Sequence, residues 1–137
     1  MVDTVTKAQR SRMMARVKHR DTAPEIVVRR LCTSLGARYR LHRKNLPGTP
    51  DLVFAGRRLV VFVHGCFWHR HASCRFATTP KTRIAFWQAK FERNRRRDRS
   101  VAARLRRAGW RVETVWECET RDPGRLGRRL GALLAAG

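Results

Sequence analysis

An α/β fold with a mixed central sheet flanked by helices is what this sequence predicts. Leu59, Val60, Val61, Phe62 and Val63 run apolar without alternation, as a central strand does when both of its faces are covered. A shorter strand opened by Pro50 and Asp51 precedes it, and Ala55-Gly56-Arg57 turns one into the other as a hairpin. A long helical stretch, 81–108, then separates the apolar strand from another strand, 110–116.

The 137 residues make a single domain, 1–137, large enough to bury a core, and 42% of them are hydrophobic. The formal net charge is +22, from 32 Lys+Arg against 10 Asp+Glu. Such a surface binds a polyanion, and nucleic acid is the default partner. A GC-rich genome would explain Arg in place of Lys, but not the excess of positive charge. No basic amphipathic helix with a continuous apolar face, lipidation signal or signal-peptide core is seen. Nor is there an apolar run near the ~18 residues a membrane span needs. The expectation is a cytoplasmic, nucleoid-associated chain with no membrane role. Disulfides are rare in that compartment, so four cysteines beside clustered histidines favour metal.

In order along the chain, residues 1–19 read as a basic arm, with a helix from Thr6 to Val17 or a mobile segment, and either form lies on phosphates. Asp21-Thr22-Ala23-Pro24-Glu25 starts a helix: a capping side chain, Pro in the first turn and an acid against the dipole. Val27, Val28, Leu31 and Leu35 form its buried stripe and Gly36 stops it. Cys32 beside that stripe reads as a small core residue. Glu25 is either a helix-dipole acid or part of a site. A short strand is expected over 38–42, and 45–51 is a turn-rich loop. On the long helix, Ile84, Phe91, Ala102 and Leu105 can face the core. Trp87, Lys90, Asn94 and Asp98 share another face. Leu126, Leu130, Leu133 and Leu134 close the fold with a short helix.

The chemistry concentrates in Val63-His64-Gly65-Cys66-Phe67-Trp68-His69-Arg70-His71-Ala72-Ser73-Cys74. Cys66, His71 and Cys74 have ligand-close spacing, and Cys118 at a strand end could complete a Cys3His zinc tetrahedron. His69 could stand in for His71 there; the spacing does not decide. Four protein donors would close the ion off, making it structural. Asp51 at a strand start, followed by a hairpin and a polar cluster, resembles the Pro-Asp layout of restriction-type endonucleases. There the Asp binds Mg²⁺. The usual acid and Lys positions are held here by Phe62 and His64, and the backbone carbonyl of Val63 could substitute as a ligand. His64 and His69 flank the strand end, where a neutral imidazole can take a proton from water and an acid such as Asp98 can fix its tautomer. Phe67, Trp68 and Trp87 are large rings in basic surroundings: either core packing or a wedge between base pairs.

Taken together, these residues resemble the very-short-patch-repair (Vsr) DNA mismatch endonucleases. The likeness runs from about Lys7 to Cys118. It rests on Ala8-Gln9-Arg10-Ser11-Arg12-Met13-Met14, Arg20-Asp21-Thr22, Leu46-Pro47-Gly48-Thr49-Pro50-Asp51, His64-Gly65-Cys66-Phe67-Trp68-His69, Asn94 with Arg97-Asp98, and Gly109-Trp110-Arg111-Val112 running into Val115-Trp116-Glu117-Cys118. The resemblance implies a restriction-endonuclease-like fold and a Mg²⁺-dependent nick 5′ of the T in T:G mismatches left by 5-methylcytosine deamination. By the same resemblance Asp51 and the Val63 carbonyl bind Mg²⁺, and His69 is the general base, oriented by Asp98. His64 acts through water on the metal, and Glu25 supports the site. Zn²⁺ falls to Cys66, His71, Cys74 and Cys118. Phe67, Trp68 and Trp87 intercalate from the major groove and Met14 from the minor groove, while Lys90 and Asn94 reach the mismatched bases. The partner is double-stranded DNA, met by a monomer, and the family suggests a MutL-type repair protein as well. Two positions depart from the family pattern: Val63 replaces a residue that often carries a hydroxyl, and Cys74 comes one residue later than expected. The alternatives are a nuclease of this fold with another DNA target, or a zinc-stapled DNA-binding module without catalysis.

Overall fold

The computed structural model describes residues 21–136. The expected N-terminal helix and Met14 lie outside the described residues. The elements are α1 (Ala23–Ser34), β1 (Arg40–Leu41), β2 (Leu52–Phe54), β3 (Leu59–His64), α2 (Ile84–Arg107), β4 (Arg111–Trp116) and α3 (Pro123–Ala135). Short 3₁₀ turns follow β2 and β4, at Ala55–Arg57 and Glu117–Arg121.

One mixed sheet, ordered β1-β2-β3-β4, forms the centre. β1, β2 and β3 pair antiparallel, and β3 pairs parallel with β4. The non-alternating apolar run is explained by its place, because β3 lies between two strands and under two helical layers. Leu59 and Val61 face α1 and α3 in a core with Val28, Leu126 and Leu130. Val60 and Phe62 face the other way, onto Leu105 of α2. Leu31 and Leu35 of α1 meet Gly127 and Gly131 of α3, with Leu Cδ2 atoms 3.7 and 3.9 Å from where a Cβ would stand. The small residues on α3 let the two helices come close.

Thr22 caps α1 by accepting the Glu25 N–H at 3.4 Å, and Gly36, at φ +77°, ends it. The buried face of α1, however, is rotated from the expected one. Val28 and Cys32 are fully buried and Glu25 is only 2% exposed, while Leu35 is 46% exposed. The face runs 25–28–32 because the first turn of α1 points into the same end of the molecule as Asp51. Ile84, expected in the core, is 48% exposed, since it opens α2 directly after Arg83 at φ +53°. The strand expected over 38–42 shrinks to Arg40–Leu41, because at His42 the backbone turns to φ +46°.

A candidate nuclease active site beside a cysteine–histidine cluster

The strands bring the candidate groups to one end of the sheet. β2 begins just after Asp51 and β3 ends at His64, and the antiparallel register of the two carries Asp51 opposite Phe62, within reach of the next residue, Val63. The Val63 N–H donates to Asp51 Oδ2 at 2.7 Å. Burial pushes the Asp51 carboxyl up to about 6; the Val63 hydrogen bond opposes this and the nearby Glu25 charge adds to it.

Past β3 the chain doubles back so that the His69 ring stacks on His64, with centroids 3.8 Å apart and planes at 7°. His69 Nδ1 meets Asp98 Oδ2 of α2 at 2.6 Å. Nδ1–H facing a carboxylate fixes the tautomer and leaves Nε2 as the proton acceptor. Burial would raise the Asp98 carboxyl, but the hydrogen bond and charge of His69 outweigh it and hold the group below its usual value. Burial pulls His64 down to about 4, and His69 adds to the effect. These groups line a cleft of about 1520 Å³, together with Glu25, His42, Phe67, Trp68, Lys90 and Asn94.

Cys66, His71, Cys74 and Cys118 come together with their ligand atoms within 4.8 Å of one another, so they could hold a metal ion. His71 Nδ1 is 3.5 Å from the Cys118 sulfur and 3.8 Å from that of Cys66. The His71 ring stacks on Trp116 at 4.3 Å. His69 stands instead with His64 and Asp98, so the two histidines the spacing left interchangeable are divided between the two clusters. The cysteine cluster joins the loop after β3 to the turn after β4. Those strands run in register to the pair His64–Trp116.

Phe67 and Trp68 are half-buried and meet edge to face at 5.1 Å. Trp87, expected as a third inserting ring, is 6% exposed. It lies 5.8 Å from Phe67 and 6.0 Å from Trp68 and supports them from α2. The face of α2 that carries Trp87, Lys90, Asn94 and Asp98 is real, but it addresses the loop. Asn94 donates to the Trp68 carbonyl at 3.1 Å, and Lys90 Nζ sits 5.3 Å from the Trp68 ring centre. Two residues of this region gave no sequence signal. Arg70 stacks on Phe91 at 4.3 Å and donates to the carbonyls of Thr78 and Ala77 at 2.9 and 3.1 Å, pinning the loop to α2. His42 reaches the acids, its Nε2 lying 3.1 Å from Glu25 Oε2 and 3.8 Å from Asp51 Oδ1. The antiparallel register that sets Leu41 opposite Leu52 carries His42 opposite Asp51, with the His42 N–H on the Asp51 carbonyl at 3.3 Å.

A family model described as DNA mismatch endonuclease Vsr matches residues 2–75. The chain belongs to the Vsr family. It is 51% identical over 134 residues to the type II nicking enzyme V.XorIIP of Xanthomonas oryzae pv. oryzae, covering 98% of each chain. It is 44% identical over 126 residues to the DNA mismatch endonuclease Vsr of Escherichia coli, covering 92% of this chain and 80% of that one. This Vsr-family chain is therefore a DNA endonuclease, and DNA is its substrate. Among solved structures it is similar to the catalytic domain of the homing endonuclease I-Bth0305I. That likeness has a TM-score of 0.59 at 16% identity and covers 85% of this chain and 97% of the other, so the restriction-endonuclease-like fold implied by the resemblance is the fold observed. No helix among the described residues is long and apolar enough to cross a membrane.

Proposed function

We propose that this Vsr-family endonuclease is Mg²⁺-dependent and nicks one strand, 5′ of the T in T:G mismatches arising from 5-methylcytosine deamination, so initiating very short patch repair. The observation that carries the reading is the 2.6 Å His69–Asp98 pair in the same cleft as Asp51. Phosphodiester hydrolysis needs a positioned base for water and charge neutralisation at the phosphate.

His69 accepts the water proton at Nε2 while Asp98 holds Nδ1–H and stabilises the imidazolium that forms. His64, with its titration pulled to about 4, stays neutral at pH 7. A neutral ring against His69 adds no charge that would oppose its protonation. Asp51 and the Val63 carbonyl offer the oxygen donors Mg²⁺ prefers, with Glu25 supporting Asp51. An acid raised by burial, with a second acid adding to the rise, gains from a bound cation, so the residues fit the ion. When bound, Mg²⁺ neutralises charge on the phosphate and the leaving oxygen.

Cys66, His71, Cys74 and Cys118 would hold Zn²⁺. The 3.5 Å His71–Cys118 separation matches the N···S edge of a zinc tetrahedron, about 3.5 Å for Zn–S near 2.3 Å and Zn–N near 2.0 Å, and the 3.8 Å to Cys66 is slightly wider. Phe67 and Trp68, backed by Trp87, would enter the stack beside the mismatch. Met14 would meet them from the other groove, with Lys90 and Asn94 near the bases. A mismatched pair costs less to unstack, so insertion itself selects for it. Action as a monomer, with a MutL-type repair protein as partner, belongs to the same reading. The names of the relatives, mismatch endonuclease and nicking enzyme, support it.

The test is a labelled duplex with a single T:G pair, with Mg²⁺ or EDTA, for the wild type and Asp51→Ala. The expected result is a Mg²⁺-dependent nick beside the T, absent on T:A duplex and lost in the variant. Equal cutting of matched and mismatched DNA would point to another target for the same fold.

A further inference from the structure

The catalytic reading uses His64 and His69, but a third histidine stands deeper in the same cleft. The His42 side chain is 7% exposed and that of Glu25 3%. Glu25 Oε2 also accepts from the Asp21 N–H at 3.1 Å and from Arg29 at 3.0 Å. Arg29 reaches on to Asp21 Oδ1 at 2.7 Å. The His42 Nε2 that meets Glu25 also lies 3.8 Å from Asp51 Oδ1, the oxygen not engaged by the Val63 N–H, and the His42 N–H donates to the Asp51 carbonyl at 3.3 Å. The backbone at His42 has φ +46°, a conformation that non-glycine residues rarely adopt. Strain of this kind persists where the surroundings over-determine it, and it clusters at functional sites. Here it ends β1 and swings the ring into the cleft in place of continuing the strand.

We infer that His42 is a positioning residue for the metal-binding acids: it bridges Glu25 and Asp51, holding the two carboxylates in one array with Asp51 Oδ1 turned toward the cleft. This rests on the proposal that Asp51 binds the catalytic cation. Two neighbouring carboxylates repel. A ring nitrogen bonded to Glu25 and facing Asp51 Oδ1, on a residue whose backbone N–H is bonded to Asp51, keeps them close enough to serve one ion and stops Asp51 from rotating onto other donors. Partners that orient metal ligands in this way change affinity or activity by about 10–100-fold when removed.

Two substitutions separate reach from bulk. His42→Gln places an amide N–H near the position of Nε2. His42→Asn tolerates the left-handed backbone equally well, but its amide is one bond short of Glu25. Melting temperature without metal reports folding. Mn²⁺ binding is followed by water-proton relaxation without DNA, and single-turnover nicking is measured against Mg²⁺ concentration. The expected result is that His42→Asn melts with the wild type, binds Mn²⁺ about tenfold more weakly and needs correspondingly more Mg²⁺ to nick, while His42→Gln stays within about threefold of wild type on both. Wild-type Mn²⁺ binding and Mg²⁺ dependence in both variants would overturn the inference. So would equal losses in both, because an amide at the Nε2 position would then not substitute. Asp51→Asn serves as the control. If it nicks normally, the metal reading itself fails. If it is inactive and both His42 variants behave as wild type, only the role of His42 is lost.

Discussion

Asp51 sits where the fold does not favour an ionised carboxylate. Burial and the adjacent Glu25 push it up to about 6, against an ordinary value of 3.8. At pH 7 the ionised group therefore destabilises the metal-free protein by about 3 kcal/mol. The sign follows from proton uptake: between pH 3.8 and about 6 the folded state binds more protons than the unfolded one, so stability falls as pH rises through that window. Asp51→Asn, which keeps an acceptor for the Val63 N–H, should abolish nicking yet raise stability in EDTA by up to about 3 kcal/mol at pH 7. The gain should shrink as the pH falls toward 4. Urea melts of both proteins at pH 4.5 and 7 check this; a variant less stable than wild type at pH 7 sinks the argument. Asp51, His64 and Asp98 were legible in the sequence because each lies at a strand end or on a helix face that can be counted, and His69 because it falls early in the loop that leaves β3. His42 was not, since a histidine in a basic loop acquires its neighbours only through strand register. Trp87 shares the helix face expected of it, but no spacing rule shows that the 65–83 loop folds over that face.

Among the connecting elements, the 45–51 loop must pass close to α2 for Asp51 to share a cleft with Asp98. Gly48 is the point of contact. It has φ +72°, and a Cβ there would lie 2.5 Å from Val101 Cγ1. Gly48→Ala should cost roughly 2–4 kcal/mol, from the backbone conformation and the clash together. Adding Val101→Ala should return the steric part and leave the backbone part. Thermal melts of the single and double variants measure the coupling, and a double variant no better than Gly48→Ala would show that Val101 is not the obstacle. The loop after β3 is held to α2 through Arg70, the Asn94–Trp68 hydrogen bond and the His69–Asp98 pair, and to the turn after β4 through the cysteine cluster. Burial pushes the Cys66 thiol up to about 12, so a bound cation is needed to keep it as thiolate at neutral pH. The purified chain should carry one zinc ion. Cys118→Ser should release it, lower stability by several kcal/mol and open the 65–83 loop to protease; metal analysis and limited proteolysis read both outcomes, and an unchanged digest would rule out the staple. The helix and strand order was legible from periodicity. The exposure of Leu35 and Ile84 was not, because a helix's rotation about its axis depends on what its ends must touch. Glu25 takes the buried place on α1 that the apolar pattern alone assigns to its neighbours.

For the molecule as a whole, the charge of +22 far exceeds what the site needs. A charge of this size draws the chain to phosphates, so DNA affinity should fall steeply with salt. A footprint of 6–10 phosphates would lose roughly 10³–10⁵ in affinity between 50 and 200 mM salt. Fluorescence anisotropy with matched duplex at several salt concentrations gives the slope, and a flat response would mean that the positive face does not meet the backbone. On the proposed reading, matched and mismatched duplexes should share this slope, because the discriminating contacts would be to the stack and would carry no counterions.

The cysteine cluster has a further consequence, for the order in which the chain is made. Asp51, His64, His69 and Asp98 all leave the ribosome before Cys118. The strand that pairs with β3 and carries the chain to Cys118 comes last but for the final helix. On the proposed roles, a nascent chain halted anywhere between Asp98 and Cys118 would hold every reacting side chain, while its loop of aromatic rings would still lack the cysteine-cluster fastening. With zinc bound as proposed, an enzyme that breaks DNA strands would in this way stay unassembled until Cys118 is made, with that cysteine acting as the seal.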